Sequence, residues 1–256
     1  MAAYLPVFML AKSTVKLIRS LKDKRQRYEE KLFVAEGVKS VIELLSSKLD
    51  IESIFATESW YKQHQQLCGR RTVEIISEKE LDQVSNLKTT QDVLLLARIP
   101  DNKLKISSFQ HKISLALDTI QDPGNLGSII RIADWFGIEN ILCSPSCADA
   151  YNSKAVQASM ASIARVNIFY EDLENIFKQT TIKVYGAIIN GKNIYKEKLP
   201  SEAIILIGNE GQGIDQSLEK FIHVPISIPR IGHTESLNAA LATGIICAEF
   251  KRSLFV

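Results

Sequence analysis

The feature that most constrains the fold is an alternation of apolar strands and helices in the second half of the chain. The run Ala203-Ile-Ile-Leu-Ile-Gly208 contains no polar side chain, which is typical of a strand buried on both faces of its sheet. Strands are predicted over residues 113–117, 141–144, 166–170, 184–189, 204–208 and 224–228. Helices are predicted over residues 126–136, 153–163, 173–179 and 236–252. This order indicates an α/β domain with a parallel sheet and helices on both faces.

The first hundred residues show a second, smaller α/β pattern. Helices are predicted over residues 13–21, 23–30, 38–47, 58–67 and 78–84, with Ser13, Asp23 and Ser77 near their amino-terminal caps. Strands are predicted over residues 32–35, 51–57, 73–76 and 93–99. Pro100-Asp-Asn-Lys103 and a short polar stretch then interrupt the pattern. We therefore expect one domain over residues 1–103 and a second over residues 111–256.

Polar, glycine-containing loops follow three predicted strands of the second domain. They are Asp118-Thr-Ile-Gln-Asp-Pro-Gly-Asn-Leu-Gly127, Gly208-Asn-Glu-Gly-Gln-Gly213 and Pro229-Arg-Ile-Gly-His-Thr-Glu-Ser-Leu-Asn238. Ligands of open parallel sheets bind at the carboxyl ends of the strands. These three loops are therefore the predicted ligand site.

Two common nucleotide-binding patterns do not fit these residues. A dinucleotide fold requires G-x-G-x-x-G after a strand, whereas Gly208, Gly211 and Gly213 follow the order G-x-x-G-x-G. The run Gly186-Ala-Ile-Ile-Asn-Gly-Lys192 resembles a phosphate loop, but Asn193 stands where serine or threonine is required and the run has the composition of a strand. A nucleotide-dependent oxidoreductase is therefore disfavoured.

Composition argues against several other classes of protein. About 46% of the residues are apolar, which is enough for a packed core. The cysteines at 68, 143, 147 and 247 form no C-x-x-C pair, so we predict a reducing, cytoplasmic setting and no metal site. No apolar run reaches the roughly 18 residues of a membrane span. The apolar segment 2–11 lacks the flanks of a signal peptide, and Met9 is an alternative start to Met1.

Positive charge is concentrated at the amino-terminal end. Residues 1–39 contain nine basic and four acidic residues, a net charge of +5, whereas residues 102–256 contain 15 of each. A polyanionic partner is therefore expected to bind the first domain. The alternative is that these side chains only solvate helix surfaces.

Three ordered motifs of the second domain resemble those of the SpoU family of RNA ribose methyltransferases. They are Asp122-Pro-Gly-Asn-Leu-Gly-Ser-Ile-Ile-Arg131, Ile207-Gly-Asn-Glu-Gly-Gln-Gly-Ile214 and Ile228-Pro-Arg-Ile-Gly-His-Thr-Glu-Ser-Leu-Asn238. The resemblance extends from about Ser114 to the end of the chain. In the first domain, Phe33-Val-Ala-Glu-Gly37 and the following helix resemble the small ribosomal-protein-like domain that often precedes this family's catalytic domain and binds the RNA substrate.

The resemblance implies a fold of the SPOUT superfamily, with a deep trefoil knot near the carboxyl terminus. It implies S-adenosylmethionine as the cofactor, bound in the knotted loops, and a homodimer as the assembly. The implied reaction is methylation of a ribose 2′-hydroxyl in structured RNA. The separate amino-terminal domain suggests a larger target, which favours ribosomal RNA over transfer RNA. Two alternatives stay open: a transfer-RNA ribose methyltransferase, and a non-catalytic RNA-binding protein that retains the fold.

The same resemblance assigns roles to individual residues. Cofactor binding is implied for Gly208, Asn209, Gly213, Ile228 and Leu237. Catalytic roles are implied for Arg131, Asn125, Glu210, Ser236 and Asn238.

These catalytic roles differ in kind. Arg131 acts either as a general base or as a fixed charge, and we favour the fixed charge. Asn125 is expected to fix the loop or Arg131, and Glu210 to orient Arg131 within the chain or across a dimer. Ser236 and Asn238 are expected to open the last helix, with Ser236 well suited to cap it.

The amino-terminal charges gain a role from this assignment. Lys24, Arg25 and Arg27 are predicted to contact RNA phosphates, which position a substrate without specifying its sequence.

Overall fold

The computed structural model describes residues 9–254, so Met1 and most of the apolar segment 2–11 lie outside the described part of the chain. The helices are α1 (Lys12–Ser20), α2 (Lys24–Glu30), α3 (Val38–Leu45), α4 (Glu58–Cys68), α5 (Glu78–Val84), α6 (Pro123–Trp135), α7 (Ser153–Ser159), α8 (Leu173–Gln179), α9 (Gln216–Glu219) and α10 (Ala239–Lys251). The strands are β1 (Leu32–Glu36), β2 (Ile51–Ala56), β3 (Val73–Ile75), β4 (Val93–Arg98), β5 (Ile113–Leu117), β6 (Asn140–Cys143), β7 (Asn167–Tyr170), β8 (Val184–Asn193), β9 (Ala203–Ile207) and β10 (Val224–Ser227). The chain divides into two compact units.

The first unit comprises the described chain up to Asp101 and the segment Tyr151–Ala164. Its sheet has the strand order β1-β4-β2-β3, with β4 antiparallel to β1 and β2, and β3 parallel to β2. The helices and strands predicted before residue 100 are all present, and their ends agree with the prediction to within one or two residues. The regular period of the apolar residues accounts for this agreement.

Helix caps account for most of these boundaries. Asp23 accepts a hydrogen bond from the Gln26 N–H at 3.2 Å, and Ser77 forms a reciprocal capping box with the third residue of α5. The predicted cap near Ser13 is wrong, because α1 begins one residue earlier and Ala11 precedes it without a side-chain hydrogen bond.

The segment Tyr151–Ala164 completes the core of the first unit although it lies within the second half of the sequence. The Tyr151 ring packs at 5.1 Å, centroid to centroid, from that of Phe33 in β1. The helix predicted over residues 153–163 ends at Ser159, because Met160 and Ala161 both have positive φ angles of 47° and 67°. Two consecutive left-handed residues cannot continue a right-handed helix.

The second unit contains the predicted parallel sheet. Its strand order is β10-β8-β9-β5-β6-β7, and every neighbouring pair is parallel. The central strands β5 and β9 are buried along their whole length, as expected for a sheet covered by helices on both faces. None of the helices within residues 9–254 is long and apolar enough to cross a membrane.

Strand β8 continues beyond its predicted end at residue 189. It pairs with β10 first at Tyr185 and Gly186 and again at Lys192 and Asn193, and the register between the two strands shifts between these two stretches. At Gly191 a Cβ atom would lie 2.4 Å from the carbonyl carbon of Ile226, so only glycine allows this approach. The phosphate-loop-like run therefore lies within a strand, as its composition indicated.

Candidate functional site

The three predicted ligand loops lie at one edge of the second unit's sheet. They follow β5, β9 and β10, with β9 directly beside β5 and β8 between β9 and β10. Because the strands are parallel, their carboxyl ends emerge on the same side. We call these segments the first loop (residues 118–127), the second loop (208–214) and the third loop (228–238).

Asn125 joins the three loops through its side-chain amide. Its Nδ2 donates a short hydrogen bond to Oε1 of Glu210 in the second loop. Its Oδ1 accepts a hydrogen bond from Nδ2 of Asn238 in the third loop at 2.9 Å. Its backbone N–H donates to Oδ1 of Asp122 at 3.0 Å. One amide group therefore fixes three loops that are far apart in the sequence.

Both helices at this edge begin at residues other than those predicted. Helix α6 begins at Pro123 rather than at residue 126, because Asp122 caps it and proline is favoured in its first turn. Helix α10 begins at Ala239 rather than at residue 236. Its cap is Asn238, whose Oδ1 accepts from the second and third N–H groups of the helix at 2.9 and 3.2 Å. The predicted cap at Ser236 is wrong, and that residue lies in an exposed loop.

Glu210 is shared between Asn125 and the start of α10. Its Oε1 also accepts from the Ala239 N–H at 3.4 Å, where the positive end of the helix dipole favours a carboxylate. Within the described chain, Glu210 makes no hydrogen bond or ion pair with Arg131. Orientation of Arg131 by Glu210 is therefore not observed within one chain, and orientation across a dimer stays a prediction.

Arg131 is exposed on the surface of α6. It follows Asn125 by six residues, which is between one and two helical turns. Its guanidinium group makes no hydrogen bond or ion pair with another residue in the described range 9–254. Trp135, one turn further along, is 83% exposed. The charge of Arg131 is therefore available to a ligand or to a partner chain.

Gly208 has no room for a side chain. A Cβ atom there would lie 2.3 Å from both the carbonyl carbon and the carbonyl oxygen of Gly213. The second loop is this narrow because the N–H groups of Asn209 and Gly213 each donate to the other's carbonyl oxygen at 2.9 Å. Gly213 has a φ of +75°, which glycine adopts without strain. The hairpin therefore requires glycine at both positions.

The side chain of Asn209 makes three hydrogen bonds within the protein. Its Oδ1 accepts from the N–H groups of Gly211 and Gln212 at 2.8 and 3.2 Å. Its Nδ2 donates to the carbonyl oxygen of Thr119 at 2.9 Å. These contacts tie the second loop to the first, and cofactor binding by Asn209 stays a prediction.

The third loop is exposed from residue 229 to residue 238. Ile231 is 100% exposed and Leu237 is largely exposed, while Ile228 is half-buried at the end of β10. Inside the loop, Nη1 of Arg230 donates to the carbonyl oxygen of Thr234 at 3.2 Å. The loop therefore presents apolar side chains and backbone polar groups at the edge where the second loop lies.

Sequence reasoning assigned no individual role to Asp118 or to Cys147, which both hold the start of the first loop. Asp118 is buried, and its Oδ2 accepts from the Asp215 N–H at 2.8 Å. Cys147 Sγ accepts from the Ile120 N–H at 3.3 Å. The pKa of the Cys147 thiol is lowered to about 7, chiefly by its hydrogen bond with Cys143. An acidic residue directly after a buried strand was the available signal for Asp118, whereas the sequence contains no comparable signal for Cys147.

A polar cleft of about 340 Å³ opens beside Asp118. It is lined by Asp118, Thr119, Glu219 and residues 212–216. The pKa of Asp215 is lowered by hydrogen bonds from the side chain and backbone of Ser217. Although three acidic residues line the cleft, no group of three or more His, Cys, Asp or Glu side chains within residues 9–254 is placed to hold a metal ion.

The basic residues predicted to contact RNA divide into two kinds. Lys24 and Arg25 are exposed, and Arg25 pairs with Glu29 one turn along α2 at 2.6 Å. Arg27 is only 3% exposed, and its Nη1 donates to the carbonyl oxygens of Leu21 and Lys22 at 2.7 and 2.9 Å. The prediction that Arg27 contacts RNA is therefore wrong, because its buried guanidinium group binds the carbonyl oxygens at the carboxyl-terminal end of α1.

The parallel sheet and the three motif loops at its carboxyl edge define a SpoU-type methyltransferase domain. Residues 112–248 match the family described as SpoU rRNA Methylase family, and residues 12–95 match the MRM3-like substrate binding domain. The chain belongs to the SpoU rRNA methylase family, which confirms the resemblance inferred from the motifs.

Relatives match the chain over nearly its whole length. The 23S rRNA (guanosine(2553)-2′-O)-methyltransferase RlmP of Bacillus subtilis is 30% identical over 236 residues, which cover 91% of this chain and 93% of that protein. A crystal structure described as an RNA methyltransferase of the TrmH family, from Porphyromonas gingivalis, is 32% identical with a TM-score of 0.85, covering 96% of this chain and 100% of that one. An AdoMet-bound rRNA methyltransferase from Sinorhizobium meliloti is 28% identical with a TM-score of 0.85, covering 97% of each chain.

Proposed function

We propose that this protein transfers a methyl group from S-adenosylmethionine to a ribose 2′-hydroxyl of structured RNA, with ribosomal RNA as the favoured substrate. The observation that carries the proposal is the junction at Asn125, where one amide joins the three family motifs at the carboxyl edge of the sheet. The Bacillus subtilis relative, named as a 23S rRNA 2′-O-methyltransferase, supports the choice of RNA. The same kinship supports a cytoplasmic setting and the trefoil knot, which both stay predictions.

The residues of the second and third loops fit S-adenosylmethionine. An adenosyl group needs apolar contacts for its ring and close backbone approach for its polar edges. Ile228 and Leu237 supply apolar surface, and the narrow hairpin at Gly208 leaves backbone unobstructed by a side chain. When bound, this cofactor supplies an electrophilic methyl group on a cationic sulfur.

The chain's own contribution to the proposed reaction is to place and polarise the ribose hydroxyl. A guanidinium group is a poor general base near neutral pH, because it does not readily give up its proton in proteins. We therefore assign Arg131 a fixed positive charge that pairs with a substrate phosphate and stabilises the oxyanion as it develops, while the proton of the ribose hydroxyl passes to solvent water. Asn125, held by Glu210 and Asn238, keeps the start of α6 in place so that this charge has a defined position.

We propose a homodimer in which α6 and α10 carry the contact surface. These helices pack on each other within the chain, with the Ile132 side chain 3.6 Å from the Cβ position of Gly244. Large apolar side chains on their outer faces are exposed to solvent: Leu241 is 63% exposed and Trp135 is 83% exposed. An apolar surface of this kind favours burial against a second copy.

The exposed basic residues of the first unit are the proposed RNA-binding surface. Lys24 and Arg25 retain this role, and Lys12 and Lys16 add two exposed cations one turn apart on α1. Replacing both Lys24 and Arg25 with glutamine should weaken RNA binding and flatten its salt dependence by about 1.4–1.8 units of slope, at roughly 0.7–0.9 per phosphate contact. The measurement is a salt titration of RNA affinity, and equal affinity at moderate salt would contradict the assignment.

Arg27 provides the matched control for this pair. Replacing Arg27 with alanine leaves the carbonyl groups of Leu21 and Lys22 without their charged donor and should lower the free energy of unfolding by about 1.5–3 kcal/mol. Below its unfolding transition, the variant should bind RNA as the wild type does.

Calorimetry with S-adenosylmethionine separates the enzyme from a non-catalytic RNA-binding protein that retains the fold. We expect saturable binding at one site per chain. Absence of binding by a folded protein would favour the non-catalytic alternative.

A further inference from the structure

Thr119 has a backbone conformation that its residue type does not favour. Its φ is +56°, in the left-handed region where a β-branched residue is a genuine outlier. The other non-glycine residues with positive φ in the described chain are Lys31, His111, Met160 and Ala161, and none of these is β-branched. Strain of this kind persists only where the surroundings hold the backbone, and it is concentrated at functional sites.

Four hydrogen-bonding contacts hold Thr119 in this conformation. Its N–H donates to Oγ of Ser144 at 2.9 Å, and its carbonyl oxygen accepts from Nδ2 of Asn209 at 2.9 Å. Its hydroxyl group donates to Oδ1 of Asp118 at 2.9 Å and lies 3.0 Å from Oγ of Ser146.

The backbone on either side of Thr119 is held as well. The Asp118 N–H donates to the carbonyl oxygen of Ile207 at 2.8 Å. The Ile120 N–H donates to Sγ of Cys147 at 3.3 Å, and the Ile120 carbonyl oxygen accepts from the Ala148 N–H at 2.8 Å. This path is therefore fixed from the end of β5 to the start of the first motif.

We propose that Thr119 is a positioning residue for methyl transfer, whose strained backbone sets the first loop against the second before RNA binds. The proposal rests on the function proposed above. Three residues after Thr119, Asp122 caps the helix that carries Asn125 and Arg131. Freedom at residue 119 would let this helix start shift against Glu210, and a shift of about 1 Å at a reacting group can cost two orders of magnitude in rate.

Two substitutions separate the strain from the hydroxyl group. Thr119→Ala and Thr119→Gly both remove the hydroxyl, but only glycine adopts a positive φ without strain. Thr119→Gly should therefore be the more stable of the two, by about 2–4 °C in Tm for each kcal/mol of strain released. The kcat of Thr119→Gly should nevertheless be lower than that of Thr119→Ala, because the loop is no longer held rigidly. Relative to the wild type, kcat should fall by about tenfold or more. KM for RNA and Kd for S-adenosylmethionine should stay within about twofold, and Thr119→Ser, which keeps the hydroxyl, should restore most of kcat.

His111→Gly is the matched control, because His111 has a φ of +59° at the opposite end of β5. It should gain stability without losing kcat.

The proposal is overturned if Thr119→Gly is at least as active as Thr119→Ala, since activity would then follow stability. It is also overturned if Thr119→Ala is the more stable of the two variants. A wild-type protein that methylates no RNA would refute the proposed function and the positioning role with it. The order of the Tm values would still show whether residue 119 is strained.

Discussion

Replacing Arg131 with alanine should lower kcat for methyl transfer by about 10²–10³-fold, the usual cost of removing one stabilising donor from a developing oxyanion. Arg131 is exposed, and no residue of the described chain neutralises it, so its charge is free to act on the substrate. Lysine at the same position should restore only part of the rate, because it lacks the planar fork that pairs with a phosphate through two hydrogen bonds. The measurement is single-turnover methyl transfer to RNA at saturating cofactor.

Binding of S-adenosylmethionine should be unchanged in both Arg131 variants, because the loops proposed to hold it lie elsewhere. Arg165→Ala is a matched control, since that arginine pairs with Asp134 at 2.8 Å and has no proposed role in the reaction. Full activity in Arg131→Lys would contradict any requirement for the guanidinium group. Loss of cofactor affinity in Arg131→Ala would show that the two functions are not separate.

Replacing Gly208 with alanine should weaken S-adenosylmethionine binding, with an expected loss of up to about 100-fold in affinity. The new Cβ atom would meet the Gly213 carbonyl group at 2.3 Å, so the hairpin must open by more than an ångström. That movement would break the pair of 2.9 Å hydrogen bonds between Asn209 and Gly213. An intramolecular hydrogen bond contributes about 0.5–1.5 kcal/mol, so the loss of both bonds corresponds to as much as about 100-fold in affinity.

Gly211 in the same loop provides the matched substitution. A Cβ atom there would lie 3.5 Å from Oδ1 of Asn209, which is an ordinary contact. Gly211→Ala should therefore bind the cofactor within about threefold of the wild type, a difference under 1 kcal/mol. Calorimetry on both variants checks the pair. If Gly208→Ala binds as tightly as Gly211→Ala, the second loop does not form the cofactor site.

The arrangement of secondary structure could be predicted from the sequence because both units have clear apolar periods. Continuous apolar strands such as β9 indicated a sheet buried on two faces, and that sheet is parallel. The packing of the segment Tyr151–Ala164 in the first unit could not be predicted, because periodicity reports which face of a helix is buried but not its partner. The extension of β8 to Asn193 was missed because its glycine and polar residues have no strand period.

The site was predicted at the level of loops better than at the level of side chains. Motif order identified the three loops, but the roles of single residues depend on contacts across the chain. Arg27 looked like part of a solvated basic run and proved to be buried. Asn209 was predicted from its motif to bind the cofactor, and its hydrogen bond to Thr119, which links two loops, could not be predicted. Thr119 had no signal at all, since a left-handed backbone at a β-branched residue is set by its neighbours and opposes its own preference.

Mapping 2′-O-methylated nucleotides in total RNA, with and without the gene, tests the central claim most directly. The account predicts that one ribose methyl group disappears from ribosomal RNA when the gene is removed. It should return with the wild-type protein and not with Arg131→Ala. Loss of a methyl group from transfer RNA alone would contradict the favoured substrate, and an unchanged pattern in all RNA would contradict the proposed activity.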